Sequence, residues 1–218
     1  MRTIIAAVFV SLDGVMQAPG GPEEDPTGGF AFGGWTFHYF DEALGGAMGE
    51  LFDRPFDLLL GRKTYEIFAA HWPKAGAEEP IAQLFNSVTK YVATRANPEL
   101  QWKNSQSLGH DVVSRLVELK KSDGPDLLIQ GSSDLIQTLL ENNLIDEFRL
   151  LIFPLLLGKG KRLFDNGTVP AALKLVETRS FPTGVILAHY QPAGAVKTGS
   201  FALQDPSAEE IERRNNLK

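Results

Sequence analysis

Residues 4–10 form an apolar run with β-branched side chains and little alternation between apolar and polar positions. This pattern predicts a strand that is covered on both faces and therefore lies in the middle of a sheet. Residues 17–35 contain nine glycines and prolines, which predict a long irregular loop. Long loops in compact domains are often functional. A helix is predicted next, over residues 41–52.

In three later segments, a short apolar run is followed by a turn whose residues can bind an anion. The apolar runs are residues 57–60, 90–93 and 126–130. Helices are predicted to begin near Tyr65 after the first run and to span residues 134–142 after the third. Strands that alternate with helices indicate βαβ units and a mainly parallel sheet.

The last strands are predicted over residues 149–153, 173–180 and 185–191, the final two as an antiparallel hairpin. The predicted fold class is therefore α/β, a three-layer αβα sandwich around a mainly parallel, twisted central sheet with a C-terminal antiparallel hairpin. This domain covers residues 1–191. Residues 192–218 are polar and predict a tail with a short helix after Ser207.

Composition narrows the class of protein. Apolar residues make up 43% of the chain and charged residues 22%, the balance of a soluble globular protein. The net charge of −6 disfavours nucleic-acid partners, and no apolar run is long enough to span a membrane. The absence of cysteine excludes disulfides and thiolate chemistry. The first apolar run lacks the pattern of a signal peptide, so we expect a cytoplasmic protein.

The turns after the three apolar runs carry groups that bind phosphate. The first turn holds Gly61, Arg62, Lys63 and Thr64, the second Thr94 and Arg95, and the third Gly131, Ser132 and Ser133. Each turn alone also fits an ordinary helix cap or a solvated surface cation. Together they lie at one edge of a parallel sheet, where ligands bind, and they favour a nucleotide. Neither the dinucleotide fingerprint nor the Walker phosphate loop is present.

Four segments, in this order, resemble the dihydrofolate reductase-like superfamily, and most of all the C-terminal reductase domain of bifunctional riboflavin biosynthesis proteins. The segments are Ile5-Ala6-Ala7 through Ser11-Leu12-Asp13-Gly14, Leu60-Gly61-Arg62-Lys63-Thr64-Tyr65-Glu66, Gln130-Gly131-Ser132-Ser133, and Pro154-Leu155-Leu156-Leu157-Gly158-Lys159-Gly160. They cover residues 4 to about 190. The deaminase domain that normally precedes the reductase is not in this sequence, so a role in that pathway would be that of a lone reductase.

The resemblance implies NADPH as the cofactor, preferred over NADH. The nicotinamide would lie near Ala6 and Ala7, and a phosphate on the ribose near Thr94 and Arg95. The pyrophosphate would lie on the other two turns, at Gly61, Arg62, Lys63, Thr64, Gly131, Ser132 and Ser133. Hydride would pass to a C=N bond of a small-molecule substrate held near Leu12, Gly14 and Trp35. Pairing into a homodimer is also implied.

Two aspartates are candidates for the catalytic acid, and each could instead have a structural role. Asp41 could match the carboxylate of true dihydrofolate reductases or could cap the helix that it begins. Asp13 could touch substrate or could fix the Ser-Leu-Asp-Gly turn by local hydrogen bonds. The four histidines show no ligand spacing, so we expect no metal. The acidic run at residues 23–25 is expected to be solvated.

Three functions remain open at this stage. The first is an NADPH-dependent reductase of a ribosylaminopyrimidine or related heterocycle. It is favoured by the basic glycine loop of residues 158–162, which would suit a phosphorylated substrate. These residues would fit a solvated loop equally well. The second is a dihydrofolate reductase, which requires a carboxylate facing the pteridine. The third is a non-catalytic nucleotide-binding module with the same fold. A serine hydrolase is disfavoured because the strained nucleophile elbow is missing.

Overall fold

The computed structural model describes residues 1–76, 78–95, 99–165, 168–202 and 204–217. The strands are β1 (Ile4–Ser11), β2 (Phe56–Gly61), β3 (Lys90–Ala93), β4 (Ser105–Ser107), β5 (Asp126–Ile129), β6 (Glu147–Phe153), β7 (Leu173–Ser180) and β8 (Ile186–Pro192). The helices in these ranges are α1 (Glu42–Glu50), α2 (Arg62–His71), α3 (Pro80–Ser87), α4 (Val112–Lys121), α5 (Ser133–Glu141) and α6 (Ala208–Asn215). Short 3-10 turns span Thr27–Gly29 and Phe37–Tyr39.

The strands form one sheet in the order β4-β3-β2-β5-β1-β6-β8-β7. The first six strands in this order, from β4 to β6, run parallel to one another. Strand β8 pairs antiparallel with both β6 and β7. The predicted fold, a mainly parallel sheet with a C-terminal antiparallel hairpin, is therefore confirmed.

Helices cover both faces of the sheet and bury two separate cores. On β1, Ile5 and Ala7 belong to the core beneath α1, α2 and α3, and Ile4 and Ala6 belong to the core beneath α4 and α5. Both sides of β1 therefore exclude water, which explains why its sequence shows no polar alternation. The three-layer αβα sandwich is confirmed.

Three elements were not predicted from the sequence, namely α3, β4 and α4. Strand β4 consists of Ser105, Gln106 and Ser107 and pairs with β3 at the edge of the sheet, so its polar residues gave no hydrophobic signal. Helix α4 begins after Asp111, whose carboxylate accepts a hydrogen bond from the backbone N–H of Ser114 at 3.0 Å. A capping aspartate of this kind marks the start of a helix, but the pattern of apolar residues alone does not reveal it.

The segment after β8 adds little to either core. Helix α6 has no buried residue, and its cap is Ser207, whose side chain accepts from the backbone N–H of Glu210. The division into a domain of residues 1–191 and a tail stays a prediction. Across the described ranges, no helix combines the length and apolar character needed to cross a membrane.

A buried ion pair joins the beginnings of four strands. Arg2 is 3% exposed and pairs with Asp57 at the start of β2. Its guanidinium also donates to the carbonyl oxygen of Pro125, just before β5, and to the hydroxyl of Tyr91 in β3. Because these contacts satisfy a charge that is removed from water, loss of one partner would leave the other buried and unpaired.

We expect Arg2→Met to lower the free energy of unfolding by about 3–5 kcal/mol, because it leaves the carboxylate of Asp57 buried without its charged partner. Arg115→Met is the matched control, because the Arg115–Glu118 pair is exposed and such pairs contribute about 0–1 kcal/mol. Urea denaturation at pH 7 measures both. Equal destabilisation by the two substitutions would contradict the structural role of Arg2.

Candidate active site

The carboxyl ends of β2 and β5 form a switch point in the sheet. These strands are neighbours, but the helices that follow them cover opposite faces. Tyr65 of α2 packs into one core, whereas Leu135 and Ile136 of α5 pack into the other. A crevice opens where neighbouring connections diverge in this way, and ligands of open α/β sheets bind there.

Two glycine turns meet in this crevice. The backbone N–H of Gly61 donates to the carbonyl oxygen of Gly131 at 3.1 Å. A Cβ atom on Gly61 would clash with the hydroxyl of Ser132, and one on Gly131 would lie 2.6 Å from Oγ1 of Thr64. Gly131 also has a φ of +152°, which side chains rarely adopt. Thus the first and third predicted turns form a single surface.

Helix N-termini provide the donors of this surface. Among the residues that the structure describes, no side chain caps α2 at Gly61, which leaves its first backbone amides available to an anion. At the start of α5, Ser132 accepts from the backbone N–H of Leu135 at 3.4 Å, and Ser133 is 8% exposed. Both helix dipoles favour negative charge at this point.

The predicted phosphate-binding cations divide into two groups. Arg62 pairs with Glu66 at 2.8 Å, and Lys63 pairs with Asp25 at 2.8 Å. By contrast, Arg95 is exposed and makes no ion pair within the described ranges. Beside it, Oγ1 of Thr94 is buried without a hydrogen-bond partner among the residues that the structure describes. The turn after β3 therefore retains unused donors.

Asp25 joins three segments around the site. Its carboxylate accepts from Lys161 at 2.6 Å, from Lys63 at 2.8 Å, and from the hydroxyl of Thr27 at 2.6 Å. Only 6% of Asp25 is exposed, so the expectation that residues 23–25 are solvated is wrong at this position. The reason is a set of long-range ion pairs that a local acidic run does not reveal.

Electrostatics keep Asp25 ionised. Burial would raise the pKa of its carboxyl, but hydrogen bonds from Lys161, Lys63 and Thr27 outweigh burial and hold the pKa well below its usual range. The neighbouring Glu24 differs. Burial raises the pKa of Glu24, although its carboxylate accepts from the backbone N–H groups of Gly20 and Gly21.

Asp13 is anchored to the loop after β6. Its two carboxylate oxygens accept from the backbone amides of Leu157 and Gly158, at 3.1 and 2.7 Å, and from the hydroxyl of Ser11 at 2.6 Å. Burial acts to raise the pKa of Asp13, but these hydrogen bonds lower it overall. The geometry supports the loop-fixing alternative for Asp13, and its catalytic assignment stays a prediction.

Asp41 acts as a helix cap. It precedes α1, and Oδ1 accepts from the backbone N–H of Leu44 at 2.8 Å. Trp35 is 9% exposed, with its indole N–H donated to the carbonyl oxygen of Gln17 at 2.8 Å. Both predicted residues are thus engaged in structural contacts, and their roles toward a substrate stay predictions.

The predicted residues on and after β1 differ in exposure. Ala6 and Ala7 are 0% and 5% exposed, whereas Leu12 is 62% exposed at the turn that follows β1. Gly14 has a φ of +82°, which favours glycine in this turn. A ligand can therefore reach the turn more easily than the strand interior.

An open cleft of about 590 Å³ lies beside the end of β1. Its lining residues are Phe9, Gly20, Thr36, Phe37, His38 and Phe40. Sequence reasoning missed all six, because Phe9 lies within the apolar run of β1 and the others belong to the irregular segment before α1. The cluster of aromatic residues at 37–40 is the signal that could have indicated them.

Comparison with known proteins agrees with this arrangement. The model of the RibD C-terminal domain family matches residues 2–187. The chain belongs to the RibD C-terminal domain family. It is 30% identical over 192 residues to the uncharacterized protein YyaP of Bacillus subtilis (strain 168), covering 85% of this chain and 92% of that protein. Membership in a reductase-domain family implies an oxidoreductase.

Solved structures with a similar fold include members of two enzyme classes. Dihydrofolate reductase from Enterococcus faecalis, complexed with NADP(H), has a TM-score of 0.56 and 15% identity, covering 87% of this chain and 96% of that one. A diaminohydroxyphosphoribosylaminopyrimidine deaminase/5-amino-6-(5-phosphoribosylamino)uracil reductase from Thermotoga maritima has a TM-score of 0.55 and 16% identity, covering 88% of this chain and 57% of that one. At these identities the likeness shows the dihydrofolate reductase-like fold alone.

Within this RibD C-terminal domain fold, we expect Asp25→Asn to lower the free energy of unfolding by about 1.5–3 kcal/mol at pH 7, because it weakens charge-assisted hydrogen bonds to two lysines. The folded-state pKa of Asp25 is depressed, so its contribution is fully present above the ordinary value of 3.8 and decreases progressively as the pH falls from 3.8 towards the lower folded-state pKa. Urea denaturation between pH 7 and pH 3 measures the difference.

Glu23→Gln is the matched control, since Glu23 is an exposed neighbour in the same loop. It should leave the urea midpoint nearly unchanged at every pH. An Asp25→Asn midpoint equal to that of the control at pH 7 would show that the buried carboxylate does not hold the loop.

Proposed function

We propose that this protein is an NADPH-dependent reductase that delivers hydride to a C=N bond of a small heterocyclic metabolite, as in the riboflavin-pathway type of 5-amino-6-(5-phosphoribosylamino)uracil reductase. The observation that carries the proposal is the joined surface of Gly61 and Gly131 at the switch point. It lies at the same edge of the sheet as the end of β1. Membership in a reductase-domain family supports the reaction class.

The described residues fit a dinucleotide at three places. The uncapped start of α2 and the adjoining turn at Gly131 would hold the pyrophosphate on backbone amides. The unpartnered hydroxyl of Thr94 offers a donor to a further anion. When bound, the cofactor would supply the hydride, and the protein would supply position and exclusion of water.

The cations around this surface favour a cofactor with a ribose phosphate. Arg62 and Lys63 already pair with Glu66 and Asp25, whereas Arg95 has no carboxylate partner in the described part of the chain. An arginine fork matches the geometry of a phosphate dianion. We therefore assign Arg95 and Thr94 to the 2′-phosphate of NADPH, which NADH lacks.

The two alternative functions receive less support. A dihydrofolate reductase needs a carboxylate that faces the pteridine, but Asp41 caps α1 and Asp13 is held by Leu157 and Gly158. Neither aspartate lines the cleft within the described residues. A non-catalytic nucleotide-binding module would share the cofactor surface but would not need the adjacent cleft.

We expect NADPH to bind at least about tenfold more tightly than NADH, and Arg95→Ala to remove most of that preference, because a lost charge-assisted phosphate contact is worth roughly 1.5–3 kcal/mol. Fluorescence titration of the reduced nucleotides measures both affinities. Arg62→Ala serves as the control, because Arg62 is paired with Glu66 and is predicted to lie at the pyrophosphate, which both nucleotides carry. It should therefore leave the preference for NADPH over NADH unchanged.

Equal affinities of the wild-type protein for NADPH and NADH would contradict the assignment of Arg95. The absence of binding to either nucleotide would remove the reductase proposal itself. Binding of NADPH without oxidation by any member of a heterocycle panel would favour the non-catalytic module.

We also propose that two copies pair through the β7 edge of the sheet. Leu173, Leu175 and Val176 on this strand are 39%, 48% and 47% exposed. An unpaired edge strand with exposed apolar side chains favours association with another chain. The register places Leu175 beside Tyr190 of β8, so these two side chains are neighbours on one face of the sheet.

Sedimentation velocity should show a dimer for the wild-type protein and a monomer for Leu175→Lys, because a charge would be buried in the interface. Leu156→Lys provides the control, as Leu156 is 74% exposed and distant from β7 in the chain. A monomeric wild-type protein at micromolar concentration would contradict the pairing.

A further inference from the structure

The aromatic cleft beside β1 leaves parts of several phenylalanine side chains exposed. Three of its lining residues are phenylalanines, and Phe37 and Phe40 are 76% and 44% exposed. Single exposed apolar residues are ordinary, but several that converge on one concavity indicate a ligand site. The volume of about 590 Å³ is in the range of small-molecule pockets.

One wall of the cleft is set by aromatic packing. The rings of Phe9 and Phe40 lie 5.9 Å apart, nearly perpendicular, and both contact Phe153. Phe153 is fully buried and also contacts Trp35 at 5.2 Å. The wall is therefore held in place by aromatic packing against the core.

The cleft lacks charged groups suited to a phosphate. His38 is the only ionisable side chain among its described lining residues. The basic loop that the sequence offered as a phosphate site is largely committed elsewhere. Lys161 pairs with Asp25, and Arg162 donates to the backbone oxygens of Asp13 and Gly158.

Moving these two cations toward a phosphate would carry a cost. Asp25 is buried, and without Lys161 its carboxylate would lose one of its two lysine partners. Loss of a partner from a buried charge is strongly destabilising. Of the three basic residues in the loop, Lys159 alone is exposed and has no ion pair in the described ranges.

We propose that the cleft binds a flat aromatic heterocycle that carries no phosphate and is held by stacking on Phe9, Phe37 and Phe40. This substrate class rests on the proposed reductase function and narrows it. It replaces the phosphorylated substrate that the basic loop indicated at the level of sequence. The chain would then share the hydride-transfer chemistry of a 5-amino-6-(5-phosphoribosylamino)uracil reductase but not its phosphorylated substrate.

Riboflavin and FMN are a matched pair of probes, because both carry the same flat ring system and only FMN carries a phosphate. Flavin fluorescence is titrated with the full-length protein in the presence of saturating NADP⁺. We expect riboflavin to bind at least as tightly as FMN. Phe40→Ala and Phe37→Ala should each weaken the binding of both ligands about tenfold, since each removes a ring that stacks on the flavin.

Two control variants test the assignment. Phe201→Ala removes an exposed phenylalanine from the tail and should leave both affinities unchanged. Lys159→Ala should also leave the ratio of the two affinities unchanged. Binding of FMN tenfold tighter than riboflavin, with the difference abolished by Lys159→Ala, would overturn the proposal and establish a phosphate site.

Failure of the substrate class can be distinguished from failure of the reductase function. The affinity for NADPH is measured separately on the same preparations. Normal NADPH binding with no flavin binding, or flavin binding that is insensitive to Phe37 and Phe40, would reject the aromatic site while leaving the cofactor surface in place.

Discussion

The backbone N–H of Gly61 donates to the carbonyl oxygen of Gly131 at 3.1 Å, and much of the candidate site depends on this contact. It joins the ends of two neighbouring strands whose helices leave toward opposite faces of the sheet. Both positions are glycines because a side chain at either would collide with Ser132 or Thr64. Two helix N-termini are thereby brought to one crevice, where their amides can act on the same anion.

A second constraint positions the loops around that crevice. The carboxylate of Asp25, in the loop of residues 17–35, forms ion pairs with Lys63 at the start of α2 and with Lys161 in the loop after β6. The same ion pairs decide which cations remain for ligands. In the proposed function, Arg95 would bind the cofactor because Lys63 and Lys161 are engaged with Asp25. In the proposed substrate class, the cleft at Phe9 would hold a ligand without a phosphate.

The fold could largely be predicted from the sequence, but the site only in part. The uninterrupted apolar run of β1 predicted a central strand because both of its faces are covered, and the glycine turns at residues 61 and 131 marked the strand ends. Strand β4 was missed because its residues are polar and its pairing with β3 is non-local. The partners of Asp25 were missed for a similar reason, since Lys161 lies far along the chain. The local pattern of apolar residues indicates which segments are buried, whereas ion pairs between distant loops form only in the completed fold.

The most direct test of the account is a crystal structure of the protein with NADPH. The account predicts the pyrophosphate on the turns at Gly61 and Gly131, with the 2′-phosphate within hydrogen-bonding distance of Thr94 and Arg95. The nicotinamide should lie next to the cleft lined by Phe9 and Phe40. A nucleotide bound at another edge of the sheet, or with its 2′-phosphate directed away from Arg95, would contradict the account.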